Sequence, residues 1–466
     1  MPIRLTVIGG GPGGCAAAFE AARNGAEVTL VEADRLGGTC LHEGCIPTKT
    51  LKRSAEVLET VRGAGAFGVF SDGCFRVDMT AVLARKTAVR ATLLGGLEKT
   101  CARLGIRLLR GKGRVVSADC VEVGTDGGMV RVEGDRVILA TGSAERELPG
   151  LAFDHERILS SADMLERENI PSRLIILGGG VIGCELAFIF RSFGSEVILV
   201  EGRERVLPLP SVDADISALL LREMKKRKII VHCRSTLRNI FSEGGGIRAE
   251  LTPFSFVEEK SVELQADAVL VTVGRIPRTA GLGLEDAGIR TKGGWIVVDE
   301  ELRTSVPGIY AVGDALGPDK AMLAHVAEAE GVCAAHNCMG GRERMRHDVI
   351  PSAIFTSPES ASVGLTEDAA CAEGRRIRTA VFQVRELGKA QVMGELAGLC
   401  KLVADADTGT LLGAHLAGPH AADLVAEAAL ALRAGLGVHD LVRTIHAHPT
   451  LAEGMRETAR LLEAAN

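Results

Sequence analysis

Apolar positions come in short continuous blocks, each followed by a stretch of helical period, and the same succession occurs twice. The first copy reads RLTVIGGGPGGCAAAFEAARNGAEVTLVEAD and the second RLIILGGGVIGCELAFIFRSFGSEVILVEGR. Each predicts a buried strand, a glycine-rich turn, an amphipathic helix and a second buried strand closed by an acid. Gly9, Gly11, Gly14 and Glu32 have the same spacing as Gly178, Gly180, Gly183 and Glu201. The first glycine of such a turn permits the tight bend, the second lets backbone approach a pyrophosphate, and the third lets helix pack on strand. The helix N-terminus then offers N–H groups to the phosphates, and the acid accepts from a ribose diol. One glycine motif is weak, but two in this context predict two dinucleotide sites. Glu201 favours NAD over NADP, because a carboxylate there repels a 2′-phosphate. Arg203 and Arg205, close behind it, work against that preference.

Composition narrows the rest. A chain of 466 residues suggests about three domains. The 46% hydrophobic and 24% charged content fits a globular protein. A net charge of −6 argues against an extended nucleic-acid surface, and 3% aromatic residues leave little for base stacking. No apolar run approaches the ~18 residues of a membrane span. The start, Met1-Pro2-Ile3-Arg4, runs straight into a strand pattern with no signal peptide, so the expected compartment is the cytoplasm. Twelve cysteines are too sparse for a disulfide scaffold. Most are expected to be buried, inert thiols.

One pair differs. Cys40 and Cys45 lie in GGTCLHEGCIPTK, shortly after Glu32. Five helical residues rise ~7.5 Å, past the ~7 Å limit between the Cα atoms of a disulfide. Bridging therefore requires a broken turn, which Gly37, Gly38 and Gly44 permit, with Pro47 suited to the first turn of a helix starting nearby. A cysteine at that helix start has its thiolate stabilised. Cys333 and Cys338 share the spacing but sit in AEAEGVCAAHNCMGG, a regular helical pattern, and are expected to stay apart. The reading is a Cys40–Cys45 bridge in oxidised protein.

GGTCLHEGCIPTK resembles the redox motif of the pyridine nucleotide–disulfide oxidoreductases, most closely the branch that oxidises dihydrolipoamide. The resemblance runs the length of the chain through LATGS (139–143), VGRIP (273–277), TSVPGIYAVGD (304–314), MLAHVAEAEG (322–331) and HAHPTLAE (446–453). It implies an α/β fold with two Rossmann-like domains, for FAD and NAD, and a C-terminal α+β dimerisation domain. The FAD domain would span 1–147 and 274–345, the NAD domain 148–273 and the dimerisation domain 346–466. FAD would lie against Gly9, Gly11, Gly14, Glu32, Thr39, Lys49, Gly113, Ala140, Thr141, Gly142, Asp314 and the segment Met322, Leu323, Ala324 and His325. A bare turn-forming role is the competing reading of Asp314. NAD would be held by Gly178, Gly180, Gly183, Glu201 and Gly274, with Glu185 near the flavin–nicotinamide contact.

The implied chemistry is oxidation of protein-bound dihydrolipoamide by NAD⁺ in a homodimer. Cys40 would take the attack, Cys45 would face the flavin, and His448 with Glu453 would serve as base for the other subunit's disulfide. Pro449 is expected at a helix start, fixing His448 just before it. His446 reads as a packed structural histidine, since HAH lacks the further ligands of a zinc site. No metal is expected. Partners would be lipoyl-bearing proteins of 2-oxoacid dehydrogenase or glycine cleavage complexes, with neither nucleic acid nor membrane. Departures from the family pattern are His42 and Glu43 between the cysteines, Arg278 where Asn is usual, Val326 where Lys is usual, and RELGKAQVMG near 385–394. The rival readings are an NAD(P)H-dependent reductase of another disulfide and a flavoprotein subunit that mainly docks. Glu201 counts against the glutathione version of the first, and the lack of a C-terminal cysteine pair against the mercuric one.

Overall fold

The computed structural model describes residues 1–243, 245–254 and 261–464. The chain divides into two compact units, one of Met1–Leu51, Asp78–Arg146 and Gly274–His347, the other of Lys52–Val77, Glu147–Val273 and Asp348–Asn466.

The first unit is built on a parallel sheet in the order Ile309–Ala311, Arg136–Leu139, Arg4–Ile8, Glu27–Glu32, Arg107–Arg110. Leu5, Val7, Leu30, Ile138 and Leu139 are buried, as expected of strands covered on both faces. Helix Pro12–Arg23 packs along helix Ala324–Cys338 at very close range. Small residues allow it: a Cβ on Gly331 would run into the Gly13 carbonyl, and one on Gly13 would lie 3.0 Å from the Ala327 carbonyl.

The second unit contains another parallel sheet, ordered Ile230–His232, Glu196–Val200, Arg173–Leu177, Ala268–Val271, Ile158–Leu159. Helix Val181–Phe193 connects strand Arg173–Leu177 to strand Glu196–Val200, with Leu186, Ile189 and Phe190 in the core. Residues 348–464 add an antiparallel sheet ordered Ser352–Ile354, Ser360–Gly364, Leu411–Ala417, Leu399–Asp405, Ile377–Gln383. Helices Ala421–Ala434 and Glu453–Ala464 pack on it.

The α/β class with two Rossmann-like modules and an α+β C-terminal portion is what the sequence predicts. The simple strand–helix alternation with short connections that the pattern also predicts is interrupted in both modules. In both modules the connection back to the parallel sheet contains an antiparallel three-stranded sheet, of Lys112–Ser117, Cys120–Thr125 and Gly128–Glu133 in one and of Ser235–Glu243, Gly246–Pro253 and Val262–Ala266 in the other. The period-2 alternation in CVEVGT and RVE, with Val121, Val123 and Val132 buried, carried that signal. Among the described residues no helix is long and apolar enough to cross a membrane.

Candidate active site and nucleotide turns

The two glycine turns have the same geometry. Gly9 and Gly178 adopt φ of +105° and +111°, and a Cβ on either would collide with the carbonyl of Ala140 or Thr272. A Cβ on Gly14 or Gly183 would overlap the carbonyl of Gly9 or Gly178. The middle glycines are different. Around a Cβ on Gly180 there is nothing within 4 Å, and around one on Gly11 only the Gly38 Cα at 4.0 Å. These two residues begin helices Pro12–Arg23 and Val181–Phe193, and neither helix has a side-chain cap on its first N–H groups. Each acid is tied to its own turn: Glu32 Oε2 accepts from Gly10 N at 2.6 Å, and Glu201 Oε2 from Gly179 N at 2.6 Å. Their other oxygens accept from Asp34 N at 2.8 Å and Arg203 N at 2.7 Å.

The cysteine segment lies against the first turn. Gly37 N donates to Gly10 O at 2.7 Å, and a Cβ on Gly38 would lie 2.8 Å from the Gly11 Cα. Gly37 and Gly38 have φ of +103° and +56°. Cys40 sits in the short helix Gly38–His42, which ends before Gly44, and Cys45 opens helix Cys45–Gly63 with Pro47 in its first turn. The broken turn required for the pair is therefore present, whereas Cys333 and Cys338 lie in one unbroken helix. The structure holds Cys40 and Cys45 as thiols, the dithiol form, rather than as the bridge expected of oxidised protein. Hydrogen bonding to Cys45, and then burial, pushes the Cys40 thiol far up, while the Lys49 ammonium pulls it down. Elsewhere burial is the main cause that raises Cys15 and Cys400 to about 12, as expected of inert thiols.

Other predicted residues of the first unit stand at its strand ends, turns and helix starts. Ala140 N donates to Ile8 O at 2.8 Å, and Thr141 Oγ1 is buried with no hydrogen-bond partner among the described residues. Gly142, φ +72°, borders open space, as does Gly274, φ +112°. Thr39 O accepts from Glu43 N at 2.9 Å, closing the short helix. Gly113 makes room for Ile8, whose Cγ2 lies 3.0 Å from where a Cβ would stand. Asp314 follows the strand Ile309–Ala311, and Leu323 caps the helix that Ala324 and His325 begin. Met322 precedes that cap.

Sequence reading missed several partners. Ser143 and Arg275 bond to Asp314 or to each other. Buried Glu330 accepts from Gly313 N at 2.7 Å and pairs with His347 at 2.8 Å. Among the departures, buried His42 bonds Leu36 O through Nε2 at 2.8 Å. Glu43 pairs with Arg35 at 3.5 Å and with Arg278 at 3.6 Å, so two of the unusual residues answer one another.

In the second unit Glu185 is 3% exposed and accepts from Phe355 N at 2.9 Å. His448 Nδ1 lies 3.0 and 3.2 Å from the two oxygens of Glu453. Nδ1 thus donates, leaving Nε2 as the basic nitrogen of a side chain that is 75% exposed. Glu453 is held by Thr450 N at 3.0 Å as well as by His448, and these bonds, in that order, keep its carboxyl below the usual range. Pro449 does not start a helix. It follows His448 through a cis peptide, and the helix begins at Glu453, whose carboxylate favours that N-terminus. His446 is 5% exposed and paired with Glu427 at 2.9 Å, a packed histidine. Among the described residues no group of three metal-ligating side chains occurs.

The residues fit two dinucleotides. The open space at Gly11 and Gly180, the uncapped helix starts and the unpartnered Thr141 hydroxyl are where a pyrophosphate and a flavin would supply acceptors and donors.

Known proteins agree with this geometry. Residues 3–331 match the family model "Pyridine nucleotide-disulphide oxidoreductase", and residues 350–459 match that family's dimerisation domain. The dihydrolipoyl dehydrogenase of Chlamydia trachomatis is 40% identical over 98% of this chain and 96% of its own length. A Mycobacterium tuberculosis structure titled LpdA superposes with a TM-score of 0.91 at 28% identity, covering 99% of both chains. The HOCl-induced flavoprotein disulfide reductase RclA of Escherichia coli gives 0.85 at 26% identity, over 98% of this chain and all of the other. The chain belongs to the pyridine nucleotide–disulphide oxidoreductase family.

Proposed function

We propose that this protein oxidises protein-bound dihydrolipoamide to lipoamide with NAD⁺ as acceptor, as a homodimer using one FAD per chain. The observation that carries this reading is the Cys40/Cys45 pair, set across a helix break and seated on the Gly9–Gly14 turn. Relatives named dihydrolipoyl dehydrogenase, matched over nearly all of both chains, supply the substrate class. The first turn, Lys49, Ala140–Gly142, Asp314 and Met322–His325 would hold FAD, and the second turn with Glu201 would hold NAD.

His448, oriented by Glu453, takes the proton of a dihydrolipoyl thiol at the opposite subunit's disulfide. The thiolate attacks Cys40 Sγ, the Cys40–Cys45 bond breaks, and Cys45 leaves as thiolate. The second lipoyl thiol then displaces Cys40, closing the lipoyl ring and leaving both enzyme sulfurs reduced. FAD, when bound, carries the dithiol's two electrons to NAD⁺. The exposed His448 ring, with Nε2 outward, supports a role at a partner's site. Lipoyl domains of 2-oxoacid dehydrogenase or glycine cleavage complexes, in the cytoplasm, are the partners this chemistry calls for.

The test is anaerobic. Flavin-loaded protein is mixed with dihydrolipoamide and then NAD⁺, following flavin and nicotinamide absorbance. Flavin reduction followed by NADH formation is expected. Reduction by NADH but not by dihydrolipoamide would move the function to another disulfide.

A further inference from the structure

Asp314 does not stand alone. Its Oδ2 accepts from Ser143 Oγ at 2.6 Å, and that hydroxyl in turn accepts from Arg275 Nε at 2.6 Å. Arg275 Nη2 donates to the Ser143 carbonyl at 2.8 Å, and its Nε is 3.9 Å from Asp314 Oδ2. Ser143 is 1% exposed, and the Arg275 side chain 12%. The two residues stand on the antiparallel pair Ser143–Glu145 and Arg275–Pro277. Asp314 arrives from the start of the turn Gly313–Leu316.

The three residues divide the Asp314 carboxylate into two functions. One oxygen is committed inward, to a hydroxyl whose own lone pair is taken by a guanidinium. That fixes the hydroxyl proton on the Asp314 side, because Arg275 only donates. The other oxygen, Oδ1, takes no part in these bonds, and the Asp314 side chain keeps 27% of its surface exposed. A carboxylate held through one oxygen presents the second at a fixed angle.

We propose that Ser143 and Arg275 are positioning residues that fix the Asp314 carboxylate so that Oδ1 meets a hydroxyl of the flavin's sugar-alcohol chain. The inference rests on the reading of Asp314 as a flavin ligand. A purely structural role for Arg275 needs only its bond to the Ser143 carbonyl and the strand pairing, both of which survive loss of the Ser143 hydroxyl.

The experiment follows release of FAD from the holoenzyme, by the rise of flavin fluorescence after dilution. Ser143→Ala is expected to release FAD about ten-fold faster, the scale of one hydrogen bond to a charged group. Ser143→Thr, which restores the hydroxyl, is expected to stay within about two-fold of the parent. On an Asp314→Asn background, Ser143→Ala is expected to add no further acceleration, since the two act as one unit. Parental release by Ser143→Ala would overturn the proposal. So would equal loss of FAD from the Ala and Thr variants, or full additivity with Asp314→Asn. A Ser143→Ala protein purified free of flavin while the Thr variant retains it would support it. A parent protein that holds no FAD overturns the flavoprotein reading itself, and this inference with it.

Discussion

Replacing Gly180 and Gly183 by alanine, one at a time, separates the binding of NAD⁺ from the integrity of the turn proposed to bind it. Gly180 has φ −74° and ψ −168°, open to any residue, and an alanine methyl there meets nothing within 4 Å. Its fold is expected to be untouched, with the melting temperature of the NAD-free protein within about 2 °C of the parent. The methyl instead occupies the space the pyrophosphate needs. Losing one or two charge-assisted N–H bonds at about 1.5–3 kcal/mol each removes on the order of 3 kcal/mol. At about 1.4 kcal/mol per decade that weakens NAD⁺ roughly 100-fold. Gly183 is the opposite case, because its methyl would overlap the Gly178 carbonyl and lie 2.8 Å from Thr272 Oγ1. Helix or turn must shift, at about 1–3 kcal/mol, so melting falls by roughly 5 °C and NAD⁺ binding is lost as well. Equilibrium dialysis of NAD⁺ with thermal melts of flavin-loaded protein reads both quantities, and FAD retention in the first module is the internal control. Parental NAD⁺ affinity in Gly180→Ala, or a drop in melting equal to that of Gly183→Ala, would refute the reasoning.

Cys45→Ser is expected to abolish dihydrolipoamide turnover while the flavin stays bound, and normal turnover would remove the pair from the mechanism. Glu453→Gln is expected to lower turnover about 100-fold by freeing His448. Since the Glu453 carboxyl is held below its usual range, its stabilising contribution is present above about pH 4.3 and fades as pH falls through the lowered value. Melting curves of parent and Glu453→Gln should therefore converge below about pH 4, and a gap unchanged from pH 7 to pH 3 would contradict this. Lys401, buried among Asp213 at 3.0 Å, Asp215 at 2.7 Å and Glu367 at 2.7 Å, neutralises a carboxylate that is itself buried. Lys401→Met should cost about 3–5 kcal/mol with FAD retention intact, and a loss below about 1 kcal/mol in denaturant titration would sink that account.

What the sequence made legible is what local backbone chemistry dictates. The two turns, the helix break at Gly44 and the unbroken helix through Cys333 and Cys338 all follow from glycine placement and period. What it left hidden joins residues far apart in the chain. Ser143 and Asp314 are separated by 171 positions, and Lys401 and Asp213 by 188. No periodicity links such residues, so the networks around Asp314 and Lys401 emerge only from the fold. The misplaced helix start at Pro449 has a local cause. Proline suits a first helical turn, but it equally suits the turn that precedes one, and the acid four residues later marks the true start.

The doubled bond between each acid and its own turn limits how cofactor preference can evolve or be engineered. Glu201, proposed to discriminate against a 2′-phosphate, is also the acceptor for Gly179 N and Arg203 N. Exchanging it for a neutral or basic residue to welcome NADP would strip the phosphate loop of an internal strut and leave two backbone donors unanswered. A change of preference therefore has to recruit a substitute acceptor in the same step, and selectivity here is a property of the loop as a whole rather than of one side chain. On the proposed flavin site, the same coupling at Glu32 would tie flavin retention to the loop against which the Cys40 segment rests.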